Sequence, residues 1–300
     1  MKGELVTTVT GDGLELRGFF SDNGSDVAVF HSHGTAGDFY THKFIEVEGE
    51  RLATEKISFL SANNRGHDVY ADIRKIVDGK TEWASVGGGF EKFEDCLTDI
   101  SAWLNFLESR GIKKVILQAH SLTQKILYYQ SMKKDNRVIA QIHLSPCNDA
   151  GFMFYRLGEQ KYKEVNAMVR RMVEKEGRAT EMLPKELAVV CPMAAQAYYG
   201  YLTEEGVGNL FPYHNPSSSK WETLEKTTEP LLAVFGGNDA FINGSMNTDD
   251  ANKVASRFKE KAKSAKSIEV KVINNSAHSY IEHEDELANV IVNWVKSEIR

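Results

Sequence analysis

Six short runs of almost wholly apolar residues recur along the chain, and segments with helical periodicity separate most of them. The runs cover residues 27–30, 57–62, 115–118, 138–144, 231–235 and 268–273. A strand that is apolar on both sides must be covered on both sides, which is the environment of a parallel strand between two layers of helices. The sequence therefore predicts an α/β fold with a mostly parallel, doubly wound sheet.

The segments around these runs supply the other elements of such a fold. Apolar residues at every third or fourth position predict helices over residues 44–55, 90–108, 122–132, 249–263 and 285–297. Two alternating runs at residues 4–9 and 14–20 flank the turn Gly11-Asp12-Gly13. This pattern predicts an antiparallel hairpin at the N-terminus.

A long helical stretch interrupts the alternation. Between residues 148 and 213 no buried-strand pattern occurs, and helical patterns at 159–176 and 186–201 take its place. We expect residues 1–147 and 216–300 to form the core, and residues 148–215 to form a helical cap over the C-terminal sheet edge, where such folds keep their sites. The cap is rich in aromatic residues, which either pack its interior or line a substrate pocket, with Phe152, Tyr155 and Tyr198 as the predicted substrate-binding residues.

Composition restricts the partners and the compartment. The net charge of −6 and the pI of about 5.9 favour neither nucleic acid nor an anionic membrane as a partner. No apolar run approaches the ~18 residues of a membrane-spanning helix, and the N-terminus lacks the apolar region of a signal peptide. The three cysteines stand far apart without metal-ligand spacing. We expect reduced thiols, no metal site and a cytoplasmic location.

The strongest local motif is a buried strand, a serine at a turn and a helix, over residues 115–125. The motif Ala119-His-Ser121-Leu-Thr123 resembles the G-x-S-x-G nucleophile elbow of the α/β-hydrolases, although Ala119 and Thr123 replace the two glycines. The resemblance implies that Ser121 is a nucleophile. The alternative is a serine that only caps the following helix.

A His33-Gly34 pair follows the first apolar run. In the family that the elbow resembles, such a loop gives one backbone N–H to the oxyanion hole, which implies Thr35 and Leu122 as the two donors. The alternative is a glycine turn between a strand and a helix. We expect His33 to be a structural hydrogen-bonding residue, and Arg65, after the second run, to form a salt bridge or backbone brace. Contact with the substrate is the alternative for Arg65.

Two further polar side chains follow the fifth and sixth apolar runs. Asp239 ends a Gly-Gly-Asn-Asp turn, and His278 lies in a loop after the last run. The chain order Ser, Asp, His is the order of the α/β-hydrolases, so the resemblance implies Asp239 as the acid and His278 as the base. Asp149, which follows the fourth run, is an alternative acid. Cys147 has no activating neighbour in sequence and is not expected to be a nucleophile.

The resemblance extends over the whole chain and is nearest to capped carboxyl-ester hydrolases, including the siderophore-esterase branch. It implies a serine hydrolase that cleaves a carboxylic ester of a small-molecule acyl substrate and needs no cofactor. A thioesterase, acyltransferase, lactonase or peptidase would use the same three residues, because the cap sets the choice of substrate. A hydrolase-fold binding protein without catalysis is the alternative from another class.

Overall fold

The computed structural model describes residues 1–299 and contains an eight-stranded sheet and a separate two-stranded one. The strands are β1 (Glu4–Val9), β2 (Glu15–Ser21), β3 (Val27–Ser32), β4 (Ser58–Ala62), β5 (Ala71–Val77), β6 (Lys80–Val86), β7 (Lys114–His120), β8 (Val138–Leu144), β9 (Leu231–Gly236) and β10 (Ile268–Ile273). The helices are α1 (Lys43–Thr54), α2 (Cys96–Ser109), α3 (Gln124–Lys133), α4 (Asp149–Leu157), α5 (Glu159–Glu174), α6 (Ala195–Leu202), α7 (Glu222–Glu225), α8 (Ala240–Met246), α9 (Ala251–Lys261) and α10 (Glu284–Glu298).

The large sheet has the strand order β1-β2-β4-β3-β7-β8-β9-β10. All pairs from β4 to β10 are parallel, and only β1–β2 and β2–β4 are antiparallel. The predicted mostly parallel sheet with an N-terminal hairpin is thus confirmed, and each of the six apolar runs forms one of its strands.

Helices cover both faces of this sheet, as apolar runs without alternation require. In β3, Phe30 packs in a cluster with Trp103 and Leu104 of α2, whereas the adjacent Val29 packs in another cluster with Phe44 of α1. Successive side chains of a strand point to opposite faces, so neighbouring residues enter different cores. The sheet is therefore doubly wound.

The strand order creates a crevice between β3 and β7. From β3 the chain continues to β4 on one side, while β7 pairs with the other side of β3 and leads on to β8. The loops that follow β3 and β7 consequently leave the sheet in opposite directions. A crevice at the C-terminal strand ends, where the order reverses, is the usual place of a site in open α/β sheets.

Two regions depart from the expected elements. The hairpin of β5 and β6 is not among the expected elements, although Ala71–Val77 alternates in burial before Asp78-Gly79, a strong turn signal. The helix expected over 90–108 begins only at Cys96, after a 3₁₀ turn at Phe93–Asp95.

The segment between β8 and β9 contains helices α4 to α7 and no strand. The helix expected over 186–201 is wrong in its first half, because a 3₁₀ turn at Lys185–Leu187 is followed by irregular chain around Pro192 and α6 begins at Ala195. Proline lacks the N–H that a helix interior needs. The division into a core and a cap stays a prediction. No helix within residues 1–299 combines the length and the apolar character needed to cross a membrane.

Candidate active site

Ser121 occupies a strained turn directly after β7. Its φ of 66° lies in the left-handed region, which non-glycine residues seldom adopt outside sites where the surroundings enforce it. The backbone N–H of Ser121 donates to the Leu144 carbonyl at 2.9 Å. Ala119 lies within β7 and Thr123 has an ordinary helical φ of −67°. Of these three residues only Ser121 has a positive φ, so the backbone conformation of the turn does not require glycine at position 119 or 123.

Ser121, His278 and Asp239 form one hydrogen-bonded series. The Ser121 hydroxyl lies 3.0 Å from His278 Nε2, and His278 Nδ1 lies 2.7 Å from Asp239 Oδ2. Because the carboxylate can only accept, Nδ1 carries the proton and Nε2 is free to accept one from the serine. The structure brings the three predicted residues together from three separate strand ends.

Asp239 is held by the backbone as well as by His278. It is completely buried, and its Oδ1 accepts hydrogen bonds from the N–H groups of Phe241 and Ile242 in the first turn of α8. Backbone donors at a helix start fix the orientation of the carboxylate. Oδ2 is thereby aimed at the imidazole.

The loop that carries His278 is clamped by residues that the sequence did not single out. The backbone carbonyl of His278 accepts hydrogen bonds from His120 Nε2 at 2.8 Å and from Ser145 Oγ at 3.1 Å. The hydroxyl of Tyr280 accepts from the Ser145 N–H and donates to the Val234 carbonyl. Burial and the neighbouring His278 hold the pKa of His120 well below its usual range, so its single proton is available for this bond. No spacing signal could reveal these contacts, because they join different strands.

The two N–H groups predicted for an oxyanion hole are both unengaged. Within residues 1–299 the backbone N–H of Thr35 and that of Leu122 donate no hydrogen bond. Thr35 follows Gly34, where an added β-carbon would stand 2.7 Å from the β-carbon of Ser121, and Leu122 directly follows the serine. Two free donors that flank a candidate nucleophile could bind a developing negative charge.

A buried polar chain supports the loop after β3. His33 Nδ1 bonds to the Gly34 carbonyl, and its Nε2 accepts from the Asn64 N–H at 3.1 Å, which fixes the tautomer. Asn64 Oδ1 accepts from the buried ammonium group of Lys125, which also pairs with Glu91 at 2.8 Å. Burial and the nearby Lys125 hold the pKa of His33 well below its usual range. The neutral His33 is therefore a structural residue, as expected.

Arg65 forms the expected brace in the loop after β4. Its guanidinium bonds to Asp99 and Asp12, and its backbone N–H donates to Asp99 at 2.8 Å. Burial raises the pKa of Asp99 despite the adjacent guanidinium, so the pair depends on its several hydrogen bonds. Arg65 therefore supports the backbone and makes no contact with the three aligned side chains.

Two further side chains lie beside the serine, on the segment after β8. Cys147 Sγ is 3.7 Å from Ser121 Oγ and also 3.7 Å from Asp149 Oδ1. Burial and the nearby Asp149 raise the pKa of the Cys147 thiol well above its usual range, which keeps it neutral and unreactive. Burial raises the pKa of Asp149 to about 6, in spite of the nearby His278. Asp149 makes no hydrogen bond to His278, so Asp239 holds the position of the acid.

The three aromatic residues predicted to bind substrate have different surroundings. Phe152 packs on Phe241, with ring centroids 5.7 Å apart, and Phe241 lies 4.8 Å from the His278 ring. Tyr155 is 37% exposed and packs on Phe154. Tyr198 has no accessible surface, so the prediction for it is corrected: its ring is enclosed in the hydrophobic cluster that also contains Tyr162 and Tyr201. Phe152 alone of the three is linked to the aligned residues by ring contacts.

A groove of about 880 Å³ lies away from these residues, along α5. Exposed ion pairs such as Lys163–Glu159 and Arg170–Glu174 form its wall, and Ser121, Asp239 and His278 do not line it. Size alone would make this groove a candidate ligand site. The hydrogen-bonded series of Ser121, His278 and Asp239 lies elsewhere, and it assembles reactive groups, which this groove does not.

A family model described as "Protein of unknown function (DUF1749)" matches residues 75–300 of the chain. That range is well over half of the sequence and includes Ser121, Asp239 and His278. No curated protein matches the chain.

Solved structures show the same fold over nearly the full length. Est1E from Butyrivibrio proteoclasticus, solved with ferulic acid, has a TM-score of 0.64 at 16% identity and covers 98% of this chain and 99% of its own. The siderophore hydrolase EstB from Aspergillus fumigatus has a TM-score of 0.66 at 17% identity, with 99% and 98% covered. The alpha/beta hydrolase GrgF from a Penicillium species has a TM-score of 0.66 at 15% identity, with 99% of each chain covered. The chain therefore has the α/β-hydrolase fold, as its elbow motif predicts.

Proposed function

The chain belongs to the family described as Protein of unknown function (DUF1749), and for this member we propose the function of a serine hydrolase that cleaves a carboxylic ester of a small molecule. The observation that carries the proposal is the series Ser121–His278–Asp239, with distances of 3.0 and 2.7 Å. The names of the similar structures, an esterase-type protein and a siderophore hydrolase among them, agree with this reaction class.

In the first half of the proposed reaction, Ser121 Oγ attacks the ester carbonyl while His278 Nε2 takes its proton. Asp239 holds the imidazole in the tautomer that accepts at Nε2, and stabilises the imidazolium that forms. The carbonyl oxygen gains negative charge and is bound by the N–H groups of Thr35 and Leu122. The imidazolium then donates its proton to the leaving alcohol, and an acyl-enzyme on Ser121 remains.

In the second half, His278 Nε2 takes a proton from a water molecule, whose oxygen attacks the acyl carbon. The same two N–H groups bind the second tetrahedral intermediate. When this collapses, Ser121 Oγ leaves and recovers its proton from His278. Every step uses side chains and backbone of this chain, and atoms balance to give one acid and one alcohol per ester and water.

The segment that carries α4 to α6 is proposed to act as a cap that selects the substrate. The segment begins directly after Cys147. Its first helix places Phe152 against Phe241, and Phe241 in turn packs against the ring of His278. Thioesters, lactones or peptides could react by the same steps. We place the ester before the peptide because an alkoxide is a better leaving group than an amine, and a similar structure from Pyrococcus furiosus is named an esterase.

The test is labelling by a fluorophosphonate, which phosphonylates an activated serine. The wild-type protein should be labelled and should turn over short p-nitrophenyl esters. Ser121→Ala should abolish both while its thermal melting stays close to that of the wild type, because only one hydroxyl is lost. Ser217→Ala, at an exposed serine, is the matched control and should be labelled as fully as the wild type.

Two results would contradict the proposal. A wild-type protein that is not labelled and turns over no ester would be a binding protein on a hydrolase fold. Undiminished labelling of Ser121→Ala would place the nucleophile at another residue. A screen of esters, thioesters and lactones with equal acyl chains then separates the bond classes.

A further inference from the structure

We infer that Asp149 recognises a positively charged group, an ammonium, on the substrate of this site. The inference rests on the proposed function and deepens it, because it names the substrate class: esters with a cationic group close to the scissile bond. It depends on where the carboxylate lies, on what surrounds it, and on its having no partner in the protein.

Asp149 lies beside the nucleophile because of the strand order. It is the first residue of α4, five residues after the end of β8, and β8 is the neighbour of β7, which carries Ser121. Cys147 Sγ contacts both Ser121 Oγ and Asp149 Oδ1 at 3.7 Å. A single sulfur atom thus separates the carboxylate from the hydroxyl, so a group bound by Asp149 lies close to a carbonyl bound at Ser121.

No cation of the protein compensates this carboxylate. Within residues 1–299, Asp149 makes no ion pair, and its side chain has only the weak thiol contact of Cys147. Three other buried carboxylates have ionic or imidazole partners: Asp99 pairs with Arg65, Glu91 with Lys125, and Asp239 with His278. Glu48 has no cation either, but it accepts a hydrogen bond from the Gln118 amide at 2.9 Å and lies away from Ser121.

Burial of an unpaired carboxylate is unfavourable, and it is seldom kept without a compensating group. Asp149 is more than nine-tenths buried, with 7% of its surface exposed. The titratable groups that act on its carboxyl are His278 and Cys147, and neither is a permanent cation. A substrate ammonium would supply the missing charge and would be held in a desolvated position.

The geometry also separates recognition from catalysis. Asp149 does not bond to the imidazole, so it differs from Asp239, which must be present for every substrate. Loss of the Asp149 charge should therefore weaken the reaction of cationic esters and spare that of neutral esters of the same shape. The ratio of the two kcat/KM values isolates this effect, because the serine and the imidazole act equally on both.

The experiment uses two isosteric pairs. In the alcohol arm, acetylthiocholine is compared with 3,3-dimethylbutyl thioacetate. In the acyl arm, the p-nitrophenyl ester of 4-(trimethylammonio)butanoate is compared with that of 5,5-dimethylhexanoate. We expect Asp149→Asn to lower the cationic-to-neutral ratio of kcat/KM at least about tenfold in one arm, the size of one lost charge-assisted contact. The arm that responds shows whether the ammonium belongs to the alcohol or to the acid. A ratio within twofold of wild type in both arms overturns the inference.

Two controls accompany this variant. Asp26→Asn removes an equal charge at the opposite edge of the sheet, just before β3, and should leave both ratios unchanged. Asp239→Asn should slow both members of a pair by the same factor. If Asp149→Asn does not fold, as judged by thermal melting, Asp149→Ser replaces it with a smaller neutral residue.

A binding measurement distinguishes failure of this inference from failure of the proposed function. Choline is titrated calorimetrically into Ser121→Ala and into Ser121→Ala/Asp149→Asn, neither of which needs to turn over an ester. Binding that weakens at least about tenfold in the double variant supports the role of Asp149. Equal binding by both proteins, or binding by neither, overturns it, whatever the ester assays give.

Discussion

Gly34 lies so close to Ser121 that a β-carbon at position 34 would stand 2.7 Å from the β-carbon of the serine. It would also stand 2.9 Å from the His120 carbonyl oxygen, and both neighbours belong to the strained turn. Separations under about 3 Å are not found between such atoms, so either the turn or the loop after β3 would have to move. The approach of this loop to Ser121 therefore requires glycine.

Gly34→Ala should consequently impair the reaction through the position of Thr35. A displacement of about 1 Å in an oxyanion donor or in the serine is enough to lower kcat about 10²-fold. The measurement is kcat for a p-nitrophenyl ester, with circular dichroism as the check on folding. Gly11→Ala, whose added carbon would meet one methyl group at 3.9 Å, is the control. A kcat within threefold of the wild type would show that the loop has no part in oxyanion binding.

Asp239→Asn should lower kcat by about 10³–10⁴ with little effect on stability. An asparagine oxygen can still accept the N–H groups of Phe241 and Ile242, but the amide cannot stabilise an imidazolium. The amide NH₂ would then face His278 Nδ1 and favour the tautomer that cannot accept from Ser121. Asp250→Asn, at the N-cap of α9, is a matched control. A loss of less than tenfold would exclude Asp239 as the acid.

Removing only one partner of the buried pair Lys125–Glu91 should lower the free energy of unfolding strongly, whereas replacing both by apolar residues should lower it little. Lys125→Met leaves the Glu91 carboxylate buried without a cation, which should cost about 3–5 kcal/mol of unfolding free energy. It also removes a donor from Asn64, so kcat should fall through the loop that His33 supports. Urea unfolding gives the first quantity and ester turnover the second.

The double variant Lys125→Met/Glu91→Leu is the control for this pair. It removes both charges, so it should recover most of the stability that the single variant loses. If the single and double variants were equally unstable, packing of the lysine stem rather than its charge would account for the loss.

The pH dependence of stability should contain a contribution from Glu48 of α1. This side chain is completely buried beside Gln118, and burial raises its pKa from 4.5 to about 8. The folded protein thus binds more protons than the unfolded chain between these two pH values. Stability from this group is highest below pH 4.5 and falls as the pH rises towards 8.

Glu48→Gln should remove that loss, because glutamine keeps the shape without the charge. The stability of the variant relative to the wild type should rise by about 2–4 kcal/mol between pH 5 and pH 9, as measured by urea unfolding. The exposed Glu46→Gln on the same helix is the control and should show no such trend. A flat difference would mean that burial does not raise the pKa of Glu48, so that this side chain is ionised to the same extent in the folded and the unfolded protein.

The sequence by itself determined the sheet and the positions of the aligned residues. Burial on both sides of a strand requires an apolar run, and each of the six runs is a strand of the sheet. A serine, an aspartate and a histidine that follow three parallel strands must lie at one edge, because parallel strands end at the same edge. The hairpin of β5 and β6 is also predictable from the sequence, since Asp78-Gly79 is a local turn signal.

Only the tertiary structure decided which residues surround that edge. The bonds from His120 and Ser145 to the His278 carbonyl, the chain from His33 to Lys125, and the placing of Asp149 beside Cys147 all join distant parts of the sequence. Tyr198, an expected substrate contact, is buried instead. A sequence pattern records how each residue meets the core or the solvent along its own element. Which side chains meet across elements depends on the strand order and on the direction of each loop, and no local pattern contains these.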